Sequence, residues 1–256
     1  MTEIIAVANP KGGSAKTSTA VNLSCALAAT MKRVMLVDLD PQCSATVAMG
    51  FERSVNAEHS LAGVMISGND PRECIRRCVH GNFDLLAANE DLTAVPVAMY
   101  NEPDGRIRLR KVLSPLFPEY DYIFIDCPPA ANNLTENALC CANRLLIPMP
   151  CEYFAIDSMI SIITMYERLN KAGDANIKLL GVVRTLYDDN QPLSAEISSE
   201  LKKQFGEMLF ESIIPYNLRI SESSSTGRPV MLYDRSSQGA SAYLALAGEL
   251  LTKLKS

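Results

Sequence analysis

The stretch from Glu3 to Ser18 constrains this chain more than any other. An apolar run, Glu3 to Asn9, leads into Asn9-Pro10-Lys11-Gly12-Gly13-Ser14-Ala15-Lys16-Thr17-Ser18, after which Thr17 to Thr30 shows helical spacing with Ala20, Leu23, Leu27 and Ala28 on one side. A strand, a loop of small residues and a Lys-Thr pair at the start of a helix make a phosphate-binding device. Small residues let backbone N–H groups approach phosphate oxygens, the helix N-terminus adds its dipole, and Lys16 adds a full positive charge. The Thr17 hydroxyl is placed to ligate Mg²⁺. The general phosphate-loop pattern is not fully met, because Pro10 stands where its first glycine belongs and Ala15 where its last does.

The rest of the chain repeats the same rhythm. Apolar runs at Arg33–Asp38, Phe83–Ala87, Tyr122–Asp126, Arg144–Met149, Lys178–Arg184 and Leu209–Ile214 read as strands. Helical spacing falls at Ile107–Leu116, Thr135–Ala142, Ile156–Leu169, Ser194–Phe205 and Ser241–Leu254, while Ser60–Val79 reads as short helices and turns. Continuous apolar strands alternating with amphipathic helices imply an α/β doubly wound, mainly parallel sheet with helices on both faces. No linker divides the chain, so residues 1–256 are expected to form a single domain. In such sheets ligands bind beyond the carboxyl ends of the strands.

Two strands end there in acids. Val34-Met35-Leu36-Val37-Asp38-Leu39-Asp40-Pro41-Gln42 carries Asp38 and Asp40, and Tyr122-Ile123-Phe124-Ile125-Asp126-Cys127-Pro128-Pro129 carries Asp126. Carboxylates at that edge can hold Mg²⁺ directly or through water, or position an attacking water.

Lys11, Gly12, Gly13, Lys16 and Thr17 together resemble the deviant Walker A motif of the ParA/MinD family of P-loop ATPases, apart from Ala15 in place of glycine. The V-D-x-D-P-Q and D-x-P-P segments resemble its acidic motifs, and softer similarity at Leu134–Leu139 and Ile214–Arg219 extends the resemblance to about residue 250. The resemblance implies binding of ATP and ADP with Mg²⁺ and slow ATP hydrolysis. It makes Lys11, Gly12, Gly13, Ser14, Ala15, Lys16, Thr17 and Ser18 the phosphate site. Lys11 is then the signature lysine that reaches a partner subunit's nucleotide in an ATP-dependent homodimer, and Lys11 and Lys16 both serve the transferring phosphoryl group. Asp40 orients the hydrolytic water. Thr17 and Asp126 lie on the metal side, with Asp38 as a second carboxylate near the metal. Pro215 and Asn217 flank the adenine. Ala15 is expected to add strain of order 1 kcal/mol if its position uses a backbone conformation awkward for a Cβ.

Composition limits what such a switch acts on. The formal net charge is −5 over 256 residues, so any nucleic-acid contact must come from a local basic patch or one completed by dimerisation. The resemblance implies non-specific DNA binding and stimulation by a ParB-like partner in chromosome or plasmid partitioning, with Arg219, Arg228, Lys202 and Lys203 as candidate DNA contacts. A MinD-like spatial regulator at the membrane is a second reading. The last helix argues against a stable membrane anchor, since it places Tyr243, Leu244, Ala247, Leu250, Leu251 and Leu254 on one side with only Lys253 and Lys255 as basic residues. A nucleotide-gated scaffold that hydrolyses poorly, suggested by Ala15 and Ser18, is a third. A metal-cluster carrier is disfavoured because none of the eight cysteines forms a CxxC pair. The cysteines read as buried, reduced thiols. The apolar start of the chain lacks a basic lead and reads as a strand rather than a signal peptide, so a cytoplasmic location, nucleoid-associated if DNA is bound, is the expectation.

Overall fold

The computed structural model describes residues 2–53, 56–152 and 155–255. Its centre is one eight-stranded sheet, ordered β3-β4-β2-β5-β1-β6-β7-β8. The strands are β1 (Glu3–Val7), β2 (Val34–Asp38), β3 (Ile75–Cys78), β4 (Phe83–Leu86), β5 (Tyr122–Asp126), β6 (Arg144–Pro150), β7 (Lys178–Tyr187) and β8 (Leu209–Pro215). All neighbours pair parallel except β3 with β4. The α-helices among the described residues are α1 (Lys16–Ala28), α2 (Ser44–Ala48), α3 (Leu61–Ser67), α4 (Val95–Ala98), α5 (Arg108–Leu113), α6 (Asn133–Cys141), α7 (Ala155–Ala172), α8 (Pro192–Phe205), α9 (Leu218–Ser225), α10 (Val230–Tyr233) and α11 (Gln238–Lys253).

Two apolar layers hold the sheet, one on each face, and the period-two geometry of a strand sorts residues between them. Ile4, Ala6, Met35, Val37, Ile123, Ile125, Leu145 and Ile147 point into the layer built by α3, α5, α6, α7 and α8. Ile5, Val7, Val34, Leu36, Phe124 and Leu146 point into the layer built by α1, α2, α10 and α11. Burial on both faces is why these strands read as unbroken apolar runs. It is also the reason the parallel, doubly wound reading holds.

Five local expectations change. Helix α1 is buried almost all round rather than on one side, because it lies between the sheet and α11. Within Ser60–Val79, which reads as helices and turns, Ile75–Cys78 forms an edge strand with Arg76 and Arg77 at its centre. Its strand character comes from antiparallel pairing with β4, not from any apolar alternation of its own. The helix expected over Ile107–Leu116 is α only from Arg108 to Leu113 and continues as 3-10 turns through Pro115 and Pro118. Helices α9 and α10 are absent from the sequence reading, α9 because it is polar on average and α10 because it is only four residues long. In the last helix Tyr243, Ala247 and Leu250 are buried against the protein, whereas Leu244 lies exposed.

The outer edge at β8 is protected by one side chain. The Glu249 carboxylate of α11 accepts hydrogen bonds from the backbone N–H groups of Glu211 (2.8 Å) and Ser212 (2.9 Å). Those donors would otherwise offer a template for another strand. Between β6 and β7 the register slips by one residue at Leu145/Leu146, and Gly181 sits at the slip. A Cβ there would lie 2.5 Å from the Met208 carbonyl oxygen and 2.7 Å from the Phe210 ring. Gly181→Ala should therefore destabilise the fold by about 2–3 kcal/mol, seen as a lower denaturant midpoint with unchanged slope. All eight cysteines are free and buried. Burial pushes the thiols of Cys25, Cys78 and Cys141 up to about 12. Because the thiolate is the nucleophile, a thiol reagent at pH 8 should label this protein only as fast as it opens. Rapid labelling of any one cysteine in the folded state would contradict that burial.

Candidate functional site

The C-terminal ends of β1, β2, β5, β7 and β8 converge on one cavity of about 660 Å³. Gly12 to Ser18, Asp40, Gln42, Pro129, Leu186 and Pro215 to Asn217 all line it. This is the ligand edge that a parallel sheet provides.

The loop is fixed from below by side chains. Asn9 accepts a hydrogen bond from the Lys11 backbone N–H (2.9 Å) and donates to the Pro148 carbonyl (2.8 Å). Thr185, at the end of β7, donates to the Ser14 carbonyl (3.2 Å). Lys16 folds back over the loop, and its ammonium donates to the Lys11 carbonyl (3.0 Å) and the Ser14 hydroxyl (3.4 Å). Lys16 is buried, and that burial lowers its pKa against the opposing pull of Asp126, Cys127 and Asp40. An ammonium held in such a place gains most when an anionic phosphate joins it. Ala15 has φ +63° and ψ +27°, the left-handed region. The missing glycine therefore matters: alanine occupies a conformation in which its Cβ is strained.

The acids differ sharply in what they are free to do. Asp126 is fully buried, its Oδ2 accepting from the Thr17 hydroxyl at 2.7 Å, while its Oδ1 has no hydrogen-bond partner. Burial, with Asp38 nearby, raises its pKa well above the usual carboxylate range. A carboxylate oxygen without a donor, beside a threonine hydroxyl and a lysine, fits a hard divalent cation such as Mg²⁺. Asp40 lines the cavity with its Oδ1 accepting from the Gln42 N–H at 2.9 Å.

Asp38 is held more tightly than Asp40. It lies fully buried, with Oδ1 accepting from the Asp40 N–H (3.2 Å) and Oδ2 from the Thr46 N–H (2.7 Å) and hydroxyl (2.8 Å). Both oxygens accept hydrogen bonds from protein donors, so Asp38 braces the Asp40 loop and α2. Burial raises its pKa to about 6.

At the far end, Pro215, Tyr216 and Asn217 follow β8 into α9 and line the cavity. Asn217 is also the N-cap of α9, its Oδ1 accepting from the Arg219 N–H at 3.0 Å. Lys11 lies on the rim, ion-paired with Glu152 just past β6. Sequence reasoning missed Asn9, Thr185, Thr46 and Glu152. Asn9, Thr185 and Glu152 were signalled only by their place near strand ends, and Thr46, inside α2, by nothing local.

The four candidate DNA contacts are not brought together. Arg219 opens α9, where it pairs with Glu222 (2.7 Å) and Asp234 (3.4 Å). Arg228 lies exposed beyond the end of the same helix. Lys202 and Lys203 close α8, near the opposite end of β8, and pair with Glu211 and Glu200 at 3.7 Å each. Among the described residues no cluster of His, Cys, Asp and Glu has the makings of a metal-cluster site. No described helix is long and apolar enough to cross a membrane.

The doubly wound sheet, the loop with its buried lysine and the paired acidic strand ends define a P-loop nucleotide-binding protein. A family profile described as an AAA domain matches residues 2–179. The chain is 36% identical over 250 residues to the sporulation initiation inhibitor protein Soj of Bacillus subtilis, covering 98% of each chain. It is 35% identical to the chromosome partitioning protein ParA of Myxococcus xanthus, covering 98% of this chain and 88% of that one. A Mycobacterium smegmatis structure described as cobyrinic acid a,c-diamide synthase with bound ADP and magnesium superposes with a TM-score of 0.87 at 29% identity, covering 100% and 96% of the two chains. The chain belongs to the ParA/Soj family of P-loop ATPases.

The strain at Ala15 predicts its own relief. Ala15→Gly should stabilise the protein by about 1 kcal/mol and tighten nucleotide binding. Thermal unfolding and titration with a fluorescent ATP analogue measure the two effects. A glycine variant no more stable and no tighter would mean that the loop holds the left-handed turn without cost.

Proposed function

We propose that this protein is an ATP-dependent dimerising switch ATPase of chromosome or plasmid partitioning. The observation that carries the reading is that Lys16 and Thr17 line one cavity, with Asp126 bonded behind Thr17 and keeping an Oδ1 that accepts no hydrogen bond, and with Lys11 at the start of the same loop. ATP and ADP are its ligands, and Thr17 and Asp126 hold the Mg²⁺ that neutralises phosphate charge when bound. The backbone N–H groups of residues 12–18 and the Lys16 ammonium bind the phosphates. Asp40, its loop braced by Asp38, holds the attacking water. Pro215 and Asn217 contact the base.

Lys11 acts in trans. Its ammonium leaves Glu152 and reaches the phosphates of a second copy, where it offsets charge on the transferring phosphoryl group. The dimer then lasts only while the γ-phosphate is present, and hydrolysis releases it. The similarity to relatives named for chromosome partitioning favours an output on DNA, non-specific and salt-dependent, with a ParB-like partner speeding hydrolysis. Arg228 is the better placed of the basic candidates, because it forms no ion pair among the described residues. The site of action is the cytoplasm, on the nucleoid. The packing of α11 weighs against the MinD-like alternative, since that helix buries Tyr243, Leu246 and Leu250 in the protein. Left-handed Ala15 favours slow turnover, and in the limit the poorly hydrolysing scaffold.

Sedimentation with ADP, with ATP, and with ATP for Asp40→Ala, each with short duplex DNA, tests the proposal. ATP should produce a dimer that captures DNA, Asp40→Ala should lock that state, and Lys11→Ala should abolish it. A protein that binds ATP yet stays monomeric and ignores DNA would exclude both the switch and partitioning.

A further inference from the structure

Helix α2 and helix α9 face each other across the inner part of the cavity. Val47 and Ala48 line it from α2, while Ile220, Ser221 and Ser224 line it from α9. Just past the end of each helix stands a glycine with positive φ, Gly50 at +81° and Gly227 at +69°. The two backbones touch there. A Cβ on Gly227 would lie 2.8 Å from the Gly50 Cα, closer than real Cβ atoms come, and 3.1 Å from its nitrogen, a tight contact. Neither neighbour is a flexible side chain that could swing away.

Each side of this contact is rigidly tied to a different part of the site. On the α2 side, the Gly50 N–H donates to the Val47 carbonyl (2.9 Å) and the Phe51 N–H to the Thr46 carbonyl (3.1 Å). Thr46 is bonded to Asp38, and Asp38 to the Asp40 N–H. At the start of α2 the Cys43 N–H donates to the Asp40 carbonyl (2.8 Å). On the α9 side, the Arg228 N–H donates to the Ser223 carbonyl (3.2 Å). Helix α9 begins at Asn217, and the Val230 N–H is pinned to Asn22 of α1 at 2.8 Å.

We infer that the Gly50–Gly227 backbone contact fixes the spacing between α2 and α9 and so positions Asp40 for hydrolysis when the base end of the cavity is filled. Gly227 and Gly50 are positioning residues, acting through α2, and the inference rests on Asp40 serving ATP hydrolysis as proposed above. Without a side chain at Gly227, α9 sits close enough to α2 for one nucleotide to bear on both. A methyl group there pushes α2, and Asp40 with it, away from the phosphate end. Misplacement of a reacting group by about 1 Å costs orders of magnitude in rate.

The test is single-turnover hydrolysis of ATP by excess protein, normalised to folded protein, for the wild type, Gly227→Ala and Gly173→Ala. Gly173 also has positive φ (+80°) but nothing within 4 Å of an added Cβ, so it carries the backbone strain without the contact. Gly227→Ala should hydrolyse about tenfold or more slowly than Gly173→Ala, while a fluorescent ATP analogue still binds it. Equal rates for the two variants overturn the inference and leave the proposed ATPase standing. A wild type that binds ATP without cleaving it overturns both. If Gly227→Ala does not fold, hydrogen exchange of the wild type with and without AMP decides the matter. Slowing in residues 44–51 and 218–228 together is the expected result, and slowing in one segment alone overturns the inference.

Discussion

The Lys16 ammonium is the constraint around which the site is built. A buried cation is tolerated only if hydrogen-bonded and electrostatically balanced. Here the Lys11 carbonyl and the Ser14 hydroxyl supply the hydrogen bonds, and Asp126 and Asp40 supply much of the opposing charge. Those partners must stay in register with one another although they come from three separate strands. The parallel pairing of β1 with β5, and of β5 with β2, provides that register: Val7 lies beside Asp126, and Asp126 beside Asp38. The sheet edge thus presents charge at fixed spacing, and the helices on both faces exclude water from beneath it.

Strain and pairing divide the labour of the site. Asn9 and Thr185 hold the phosphate loop rigidly, so that Ala15 is kept in a left-handed conformation it would not choose. Asp38 holds Asp40 and α2 through hydrogen bonds to the Asp40 N–H and to Thr46. Among the described residues Asp126 is the fully buried carboxylate left with an oxygen that accepts no hydrogen bond, and a cation there would satisfy it. Two neighbouring acids of the same residue type differ in the donors around them.

Much of this was legible without coordinates. The strand–loop–helix at Glu3–Ser18 and the acidic ends at Asp38, Asp40 and Asp126 are local patterns whose chemistry depends on residue type and spacing. They lie at one edge because parallel strands share a direction. The strand Ile75–Cys78 was not legible, since two arginines at its centre mask it and only β4 makes it a strand. Nor were the partners of Asp38 legible, because Thr46 meets it through the packing of α2. The partners of the basic residues were not legible for a similar reason: adjacency in sequence or motif says nothing about which acid lies across the surface.

The sequence by itself determined the fold class, the phosphate loop and the candidate acids, since periodicity, small residues and strand-end charges act over a few neighbours in the chain. Only the tertiary structure decided which carboxylate kept a free oxygen, which lysine was buried and which paired at the rim, and that α2 and α9 meet at two bare glycines. Those outcomes depend on groups far apart in the chain meeting in three dimensions, where hydrogen-bond partners and burial, rather than residue type, set what each side chain can do.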